Sequence, residues 1–353
     1  MTRPPGLTVL DLAVIPEGRT ARDALLASTA LAQGAEEWGY GRYWLAEHHL
    51  TQGIAAVSPL PVLAAVAGTT RRIRIGSGAT LTGHRTAVSI AEDFATLAAL
   101  APGRVDLGFG RSAARGRAAG PVRPGSSSIT GSARFGRRLE LLQQAGAVAA
   151  DHGELVREVR DLLADVFVDA DGERWSALPG GAAVELWSLG SSAGESARVA
   201  GELALPFAVN HHMSPSTSFA AVEHYRAVLA SAHPGRAPRV AVAAEVCVAE
   251  DESAAAHRAA AHLEWVRRQC QGRGILPFPR HGDPDVRTDP LVADRAAALV
   301  VGTPAHAVQR LRGLAAEFDA EEVVVSILDH DLDRRADAHR LLAAAWRDAA
   351  AAA

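Results

Sequence analysis

A strand–helix–strand pattern in residues 72–111 limits the folds open to this chain more than any other feature. A strand pattern that we expect to end at Gly76-Ser77-Gly78 is followed by a helical pattern over residues 87–100 and a second strand pattern over 105–109. Such units build parallel sheets, in which ligands lie at the carboxyl ends of the strands. A functional site is therefore expected where these two strands end.

The same alternation of strand and helix patterns recurs along the whole chain. The predicted strands cover residues 7–15, 43–45, 73–75, 105–109, 184–189, 207–209, 240–248 and 323–327. Eight strand–helix units predict an α/β fold, a (β/α)8 or TIM barrel, as one domain over residues 1–353. An open doubly wound sheet is the alternative.

Two segments interrupt this alternation, one after strand four and one before the last strand–helix units. Residues 112–133 are rich in Gly, Ser, Pro and Arg, which predicts a mobile lid loop. Residues 270–295 form a second irregular insertion.

Composition excludes several classes of protein. The chain has 36 Lys+Arg against 40 Asp+Glu, so no net charge draws it to nucleic acid or to an anionic membrane. Cys247 and Cys270 are too few for a disulfide framework and lack metal-site spacing. No signal peptide and no bilayer-spanning apolar run is found, so we expect a cytoplasmic protein without a metal.

Two strand ends carry groups suited to a phosphate. Arg111 follows strand four, and a guanidinium there can hold a phosphate through paired donors. Strand five is followed by Gly190, Ser191 and Ser192, which are expected to begin a helix. The free N–H groups at that helix end could bind an anion. Alternatively, a serine side chain caps the helix and no ligand is needed.

Residues 108–114 formally match the dinucleotide-binding pattern G-x-G-x-x-A. That site needs a helix directly after the glycines and an acidic residue about twenty positions later. A Gly- and Ser-rich loop follows instead. We therefore favour the interpretation that these glycines allow a tight turn where the strand ends.

Histidines follow strands two and six. Adjacent residues of a strand face opposite sides, so His48 and His49 are not expected to bind one metal ion, and no third ligand completes a set. His48 is a candidate acid, base or hydrogen-bond donor, or else a structural histidine. His211 and His212 repeat the arrangement after strand six.

Four segments together resemble the bacterial luciferase-like, flavin-dependent monooxygenase family. They are YWLAEHH at 43–49, the stretch from 75 to 111, LGSS at 189–192 and VGTP at 301–304. The resemblance implies a (β/α)8 barrel, reduced FMN or the deazaflavin F420 as cofactor, and a homodimer.

The resemblance also implies roles for individual residues. His48 would sit beside the flavin as the catalytic group. The cofactor-binding positions would be Ala79 and Thr80 against the ring, and Gly110, Arg111, Gly190, Ser191 and Ser192 toward the phosphate. The substrate pocket would be lined by Trp44, Phe109 and His211.

The implied reaction is that of a two-component monooxygenase. A separate flavin reductase would supply FMNH2 transiently, and dioxygen would react through a C4a-peroxyflavin to oxygenate a small organic substrate of secondary metabolism. Hydroxylation, epoxidation and Baeyer–Villiger insertion all remain open. The alternatives are an F420-dependent hydride-transfer enzyme and a non-catalytic flavin-binding protein.

Overall fold

A closed barrel of eight parallel strands forms the centre of the computed structural model, which describes residues 4–111, 137, 141–142 and 151–351. The predicted lid at 112–133 lies outside the described residues. The barrel strands are β1 (Gly6–Asp11), β2 (Arg42–Leu45), β3 (Arg74–Leu81), β4 (Val105–Gly110), β5 (Val184–Gly190), β6 (Phe207–Val209), β7 (Val240–Val248) and β8 (Glu322–Ser326).

Strand pairing closes the barrel. Each strand pairs in parallel with the next along the chain, and β1 pairs with β8, so that the sheet has no open edge. The predicted TIM barrel is thereby confirmed, and the alternative of an open doubly wound sheet is wrong.

Helices follow most of the strands. They are α1 (Ala21–Trp38), α2 (Pro59–Thr69), α3 (Ala87–Leu100), α4 (His152–Leu163), α5 (Glu195–Glu202), α6 (Pro215–Ala232), α7 (Glu252–Arg268), α8 (Ala293–Ala298), α9 (Pro304–Glu317) and α10 (Leu332–Ala351). Local chemistry fixes several ends: Gly39 ends α1 at a φ of 89°, and Thr303 caps α9 just before its proline.

Strand β3 is longer than the sequence pattern suggested. We expected it to end at residues 76–78, but it continues to Leu81. A Cβ on Gly76 would lie 2.1 Å from the carbonyl oxygen of Asp106, and one on Gly108 would lie 2.4 Å from that of Ser77. These glycines therefore allow β3 and β4 to pair closely and do not end the strand.

The insertion at 270–295 has more regular structure than its composition indicated. It contains one turn of π-helix (Gln269–Arg273), a 3-10 helix (Pro284–Thr288) and the start of α8. A short strand, Val300–Gly302, then returns to the barrel and pairs with the upper residues 246–248 of β7.

Two tryptophans fill the inside of the barrel. Trp44 of β2 and Trp187 of β5 meet edge to face, with ring centroids 5.2 Å apart, and both are fully buried. Beside the indole of Trp44, β3 carries Gly78, where a Cβ would lie only 3.1 Å from the Cβ of Trp44. Glycines on β3 thus make room for the indole rings.

An ion-pair network closes the amino end of the barrel below the tryptophans. The buried carboxylate of Asp106 binds Arg42 at 2.7 Å and Arg74 at 2.6 Å, and it also accepts a 2.9 Å hydrogen bond from Nε1 of Trp44. Arg42 reaches further to Glu185, at 3.0 Å. These residues lie on β2, β3, β4 and β5, so the network fixes four neighbouring strands relative to each other.

No helix in the described part of the chain is long and apolar enough to cross a membrane.

We expect Asp106→Asn to destabilise the fold by about 3–5 kcal/mol, because it leaves Arg42 and Arg74 without their shared buried counter-charge. Urea unfolding followed by circular dichroism measures this change. The control is Asp337→Asn, which removes an exposed carboxylate paired within one helix and should cost less than about 1 kcal/mol. Equal effects of the two substitutions would contradict the role of the network.

Candidate functional site

The predicted site residues lie on four neighbouring strands. His48 follows β2, Ala79 and Thr80 end β3, Arg111 follows β4, and Ser191 follows β5. Because β2, β3, β4 and β5 are consecutive in the barrel, these positions share one side of its carboxyl end. This is the end at which TIM-barrel enzymes carry their active sites.

His48 follows β2 at the carboxyl end of the barrel. Trp44 and Ala46 belong to the cluster of side chains inside the barrel, and His48 lies half-buried, three residues after the end of the strand. Its backbone N–H donates to the carbonyl of Ala56 at 3.2 Å, which holds this segment against the chain that leads into α2.

Glu47 joins the ends of β2 and β3. One carboxylate oxygen lies 2.6 Å from Nε2 of His49 and 3.3 Å from Nη2 of Arg85, and the other accepts the N–H of Leu81 at 3.1 Å. No role for Glu47 was predicted from the sequence. A carboxylate directly after a buried strand, with Arg85 after the next strand, was the available signal.

The charge of Glu47 is well stabilised. Burial alone would raise the pKa of this carboxyl group, but hydrogen bonds from His49 and His84, the charge of Arg85 and the N–H of Leu81 outweigh it and lower the pKa to about 2. Glu47 is therefore an anion at neutral pH and holds its partners firmly.

Glu47, His49 and His84 also form a group that could hold a metal ion, since their ligand atoms lie within 4.8 Å of one another. The sequence offered no further ligand beside His48 and His49; the structure brings Glu47 and His84 to His49. Arg85 lies beside the same carboxylate oxygen, and its charge opposes a second cation there. We interpret the group as a hydrogen-bond network.

The end of β3 combines small residues with an unusual backbone. The peptide bond between Gly78 and Ala79 is cis. Ala79 is half-buried beside the inner cluster, whereas Thr80 is fully buried and its hydroxyl donates to that of Ser77 at 2.8 Å. A Cβ on Gly110 of β4 would lie 2.9 Å from the Cβ of Ala79. Of the two residues predicted to contact a flavin ring, Ala79 is therefore accessible and Thr80 is not.

The residues predicted to bind a phosphate follow the neighbouring strands β4 and β5. Nη1 of Arg111 pairs with Oε2 of Glu195 at 2.9 Å, and the Arg111 side chain is 40% exposed. Ser192 is exposed and Ser191 half-buried, directly before the amino end of α5. No side chain among the described residues caps that helix end. Its backbone N–H groups can therefore receive an anion.

The three predicted pocket residues are placed differently. Trp44 is fully buried in the barrel interior. Phe109 is fully buried in the outer core between strands and helices, because the inward positions of β4 are Gly108 and Gly110. His211 binds Ser218 through Nδ1 at 2.9 Å and packs against Phe318. Phe109 and His211 thus pack against other described residues, and the substrate-pocket roles of all three residues stay predictions.

Comparisons with known proteins agree on one family. The family model described as luciferase-like monooxygenase matches residues 7–320. A protein named luciferase-like monooxygenase from Escherichia coli K12 is 32% identical over 333 residues, which cover 92% of each chain. The crystal structure of apo-MsnO8 is 30% identical, with a TM-score of 0.78 and coverage of 97% of this chain and 98% of that one.

More distant structures share the fold and differ in cofactor. The oxygenating constituent of 3,6-diketocamphane monooxygenase from Pseudomonas putida, a type II Baeyer–Villiger enzyme solved with FMN, is 18% identical, with a TM-score of 0.67 and coverage of 96% and 97%. An F420-dependent secondary alcohol dehydrogenase is 15% identical, with a TM-score of 0.63 and coverage of 98% and 100%.

One relative with a named substrate matches only part of the chain. The N-acetyl-S-alkylcysteine monooxygenase of Bacillus subtilis 168 is 47% identical over 106 residues, which cover 30% of this chain and 32% of that protein.

We expect Glu47→Gln to lower the free energy of unfolding by about 1–3 kcal/mol at neutral pH, since the charged hydrogen bonds are lost. Because the pKa of Glu47 in the folded chain lies below the ordinary value of 4.5, its stabilising effect is complete above that value and is lost as the pH falls toward 2. The difference in the free energy of unfolding between wild type and variant should therefore be smaller at about pH 3.5 than at about pH 7, as measured by urea unfolding at each pH.

The control for this experiment is Glu92→Gln, at an exposed position of α3 whose carboxylate has no hydrogen bond or ion pair with any residue that the structure describes. If the difference in unfolding free energy between wild type and the Glu47 variant is the same at both pH values, the charge of Glu47 does not stabilise the fold.

Proposed function

The chain belongs to the luciferase-like monooxygenase family, and we propose that it uses reduced FMN and dioxygen to oxygenate a small organic substrate. The observation that carries this proposal is the alignment of His48, Ala79, Arg111 and Ser191 along four consecutive strand ends. One elongated ligand with a flat ring and a phosphate fits that order.

The residues present fit a flavin phosphate. A helix end with no side-chain cap among the described residues, two serines directly before it and a partly exposed guanidinium paired with its first residue all follow the neighbouring strands β4 and β5. Glu195 already occupies the guanidinium, so a phosphate would share or displace that carboxylate. Arg111, Ser191, Ser192 and the backbone at Gly190 would bind and orient the cofactor without taking part in the reaction.

The residues at the other end fit the ring. Gly110 and the Gly78–Ala79 backbone carry little or no side chain, so a planar group can approach the main chain there. Reduced FMN, when bound, supplies the electrons that activate dioxygen. An imidazole nitrogen of His48 would hold or donate a proton beside the ring, and the buried surroundings would exclude water.

We propose that the reduced cofactor comes from a separate flavin reductase by transient contact, and that the chain functions as a cytoplasmic homodimer. The glycine pattern at 108–114 begins on the barrel strand β4, which supports a strand-pairing role for those glycines over a nicotinamide site. Light scattering tests the dimer, and turnover that depends on an added reductase tests the transfer.

F420-dependent hydride transfer is the second candidate, favoured by the match over the full barrel to the alcohol dehydrogenase that uses that cofactor. Separate titrations of the purified chain with FMN and with F420 decide between them. Tight binding of F420 with weak binding of FMN would overturn our proposal, and binding of neither would remove both candidates. Binding of FMN without oxygen-dependent turnover would leave a non-catalytic flavin-binding protein.

The substrate is a further proposal. Small thioethers belong in the first panel, because a partial relative is named for N-acetyl-S-alkylcysteine, and ketones belong there because a structural neighbour is a Baeyer–Villiger enzyme. A mass gain of one oxygen atom in the product identifies the substrate.

We expect Arg111→Met to weaken FMN binding by about tenfold or more, because one charged contact to the phosphate is lost. Riboflavin has no phosphate, so its affinity should not change. Flavin fluorescence measures both, and Arg236→Met, at an exposed arginine after α6, is the control. Equal losses for FMN and riboflavin would contradict a phosphate contact.

We expect His48→Ala to lower the fraction of reduced flavin that yields oxygenated product by about tenfold or more, while FMN affinity is kept. Rapid-mixing kinetics with product analysis measures the fraction. The control is His306→Ala, an exposed histidine in the first turn of α9. Unchanged coupling in the His48 variant would remove the role assigned to this residue.

A further inference from the structure

One buried histidine at the amino end of α4 has a ring nitrogen without a partner. His152 is the first residue of α4 and is only 6% exposed. Its Nε2 atom is buried and has no hydrogen bond with any residue that the structure describes. A buried polar atom without a partner costs free energy, so such atoms are rare in folded proteins and mark places where a ligand can bind.

His152 lies close to the strand ends and the helix that carry the proposed phosphate site. Its Nδ1 atom lies 3.3 Å from the hydroxyl of Thr82, which follows β3 and donates to the carbonyl oxygen of Gly110, the last residue of β4, at 3.4 Å. The next residue in the chain packs on α5, because a Cβ on Gly153 would lie 3.3 Å from the side chain of Val199. The imidazole is therefore held near the ends of β3 and β4 and near α5.

The charged groups around His152 include the ion pair of the phosphate site. Arg111 pairs with Glu195 at 2.9 Å, and both act on the imidazole, together with Asp151 and Arg198. These two carboxylates and two guanidinium groups oppose each other, and burial lowers the pKa of His152 below the ordinary value of 6.5. The ring is therefore neutral at neutral pH, with one nitrogen that donates and one that accepts.

The hydroxyl of Thr82 can determine which nitrogen donates. When this hydroxyl donates to Nδ1 of His152, the ring proton is carried by Nε2. Nε2 is then an N–H donor without an acceptor, near the guanidinium of Arg111 and the start of α5, which has no side-chain cap among the described residues. Three kinds of donor near one another favour an anion with several oxygen atoms.

We propose that Nε2 of His152 donates a hydrogen bond to the phosphate of the bound flavin. A phosphate that takes the place of the Glu195 carboxylate on Arg111 would come within reach of this nitrogen. Because the imidazole is neutral, it adds a directed hydrogen bond and no charge. The inference rests on the function proposed above and adds to its site a residue from α4, a helix to which no other proposed contact belongs.

The first test compares two variants of His152 by flavin fluorescence. His152→Phe keeps an aromatic ring and removes both ring nitrogens, and we expect it to weaken FMN binding by about tenfold or more while riboflavin affinity stays unchanged. His152→Gln keeps an N–H donor near the position of Nε2 and should retain FMN affinity to within about threefold. The control is His306→Phe, at an exposed histidine of α9, which should change neither affinity.

The second test uses the wild-type chain and does not require a flavin. Nitrogen-15 NMR of the histidine-labelled chain follows the Nε2 signal of His152, which is assigned by its absence from the spectrum of His152→Gln. We expect this signal to shift when inorganic phosphate or FMN is added, while the signals of His306 stay in place.

The two tests separate this proposal from the function on which it rests. Equal losses of FMN and riboflavin affinity in His152→Phe, a Gln variant as weak as the Phe variant, or an Nε2 signal that inorganic phosphate does not move would each overturn the proposal. If the wild-type chain ignores FMN but its Nε2 signal shifts with inorganic phosphate, the proposed function fails and the assignment of His152 to a phosphate site is supported.

Discussion

The hydrogen bond between Trp44 and Asp106 connects the side chains inside the barrel to the ion pairs at its amino end. Asp106 is fixed by two guanidinium groups at the amino end, and the indole of Trp44 is fixed on Asp106. Trp44 and Ala46 face the barrel interior, and His48 follows beyond the end of β2. The segment that carries His48 therefore continues a strand whose indole is anchored to a carboxylate at the amino end of the same interior.

A second constraint acts at the mouth. Glu47 ties the residues after β2 to Leu81 at the end of β3. One carboxylate thus holds together the segments that follow two neighbouring strands. Its low pKa keeps this connection intact over the physiological pH range.

The sequence predicted the barrel well because each strand and helix carries local signals. Alternating strands and helices, the left-handed Gly39 and the Thr303 cap all depend on residues close in the chain. Short-range signals failed where a distant contact decided the outcome. Considered alone, the glycines of β3 are typical of the end of a strand. In the structure they allow the backbone of β4 to approach closely.

The site residues show the same division. His48 and Arg111 lie after the strands from which the sequence predicted them, and their functional roles stay predictions. The group of Glu47 with His84 depends on how two loops meet, which no spacing within one motif predicts. The outward direction of Phe109 could have been inferred, because Gly108 and Gly110 on either side already occupy the inward positions.

The short strand Val300–Gly302 has a consequence for how this barrel tolerates change. β7 ends its pairing with β8 at Glu245, and the next three residues, 246–248, pair with that short strand instead. The excursion from α7 to α8 leads into this main-chain pairing, and a buried ion pair between Arg295 and Glu245 of β7, at 2.7 Å, also fastens it to the barrel. Its exposed positions can be varied by grafting or by recombination while ring closure stays untouched, whereas Phe278, Val286 and Val292 must stay apolar because they are part of the core.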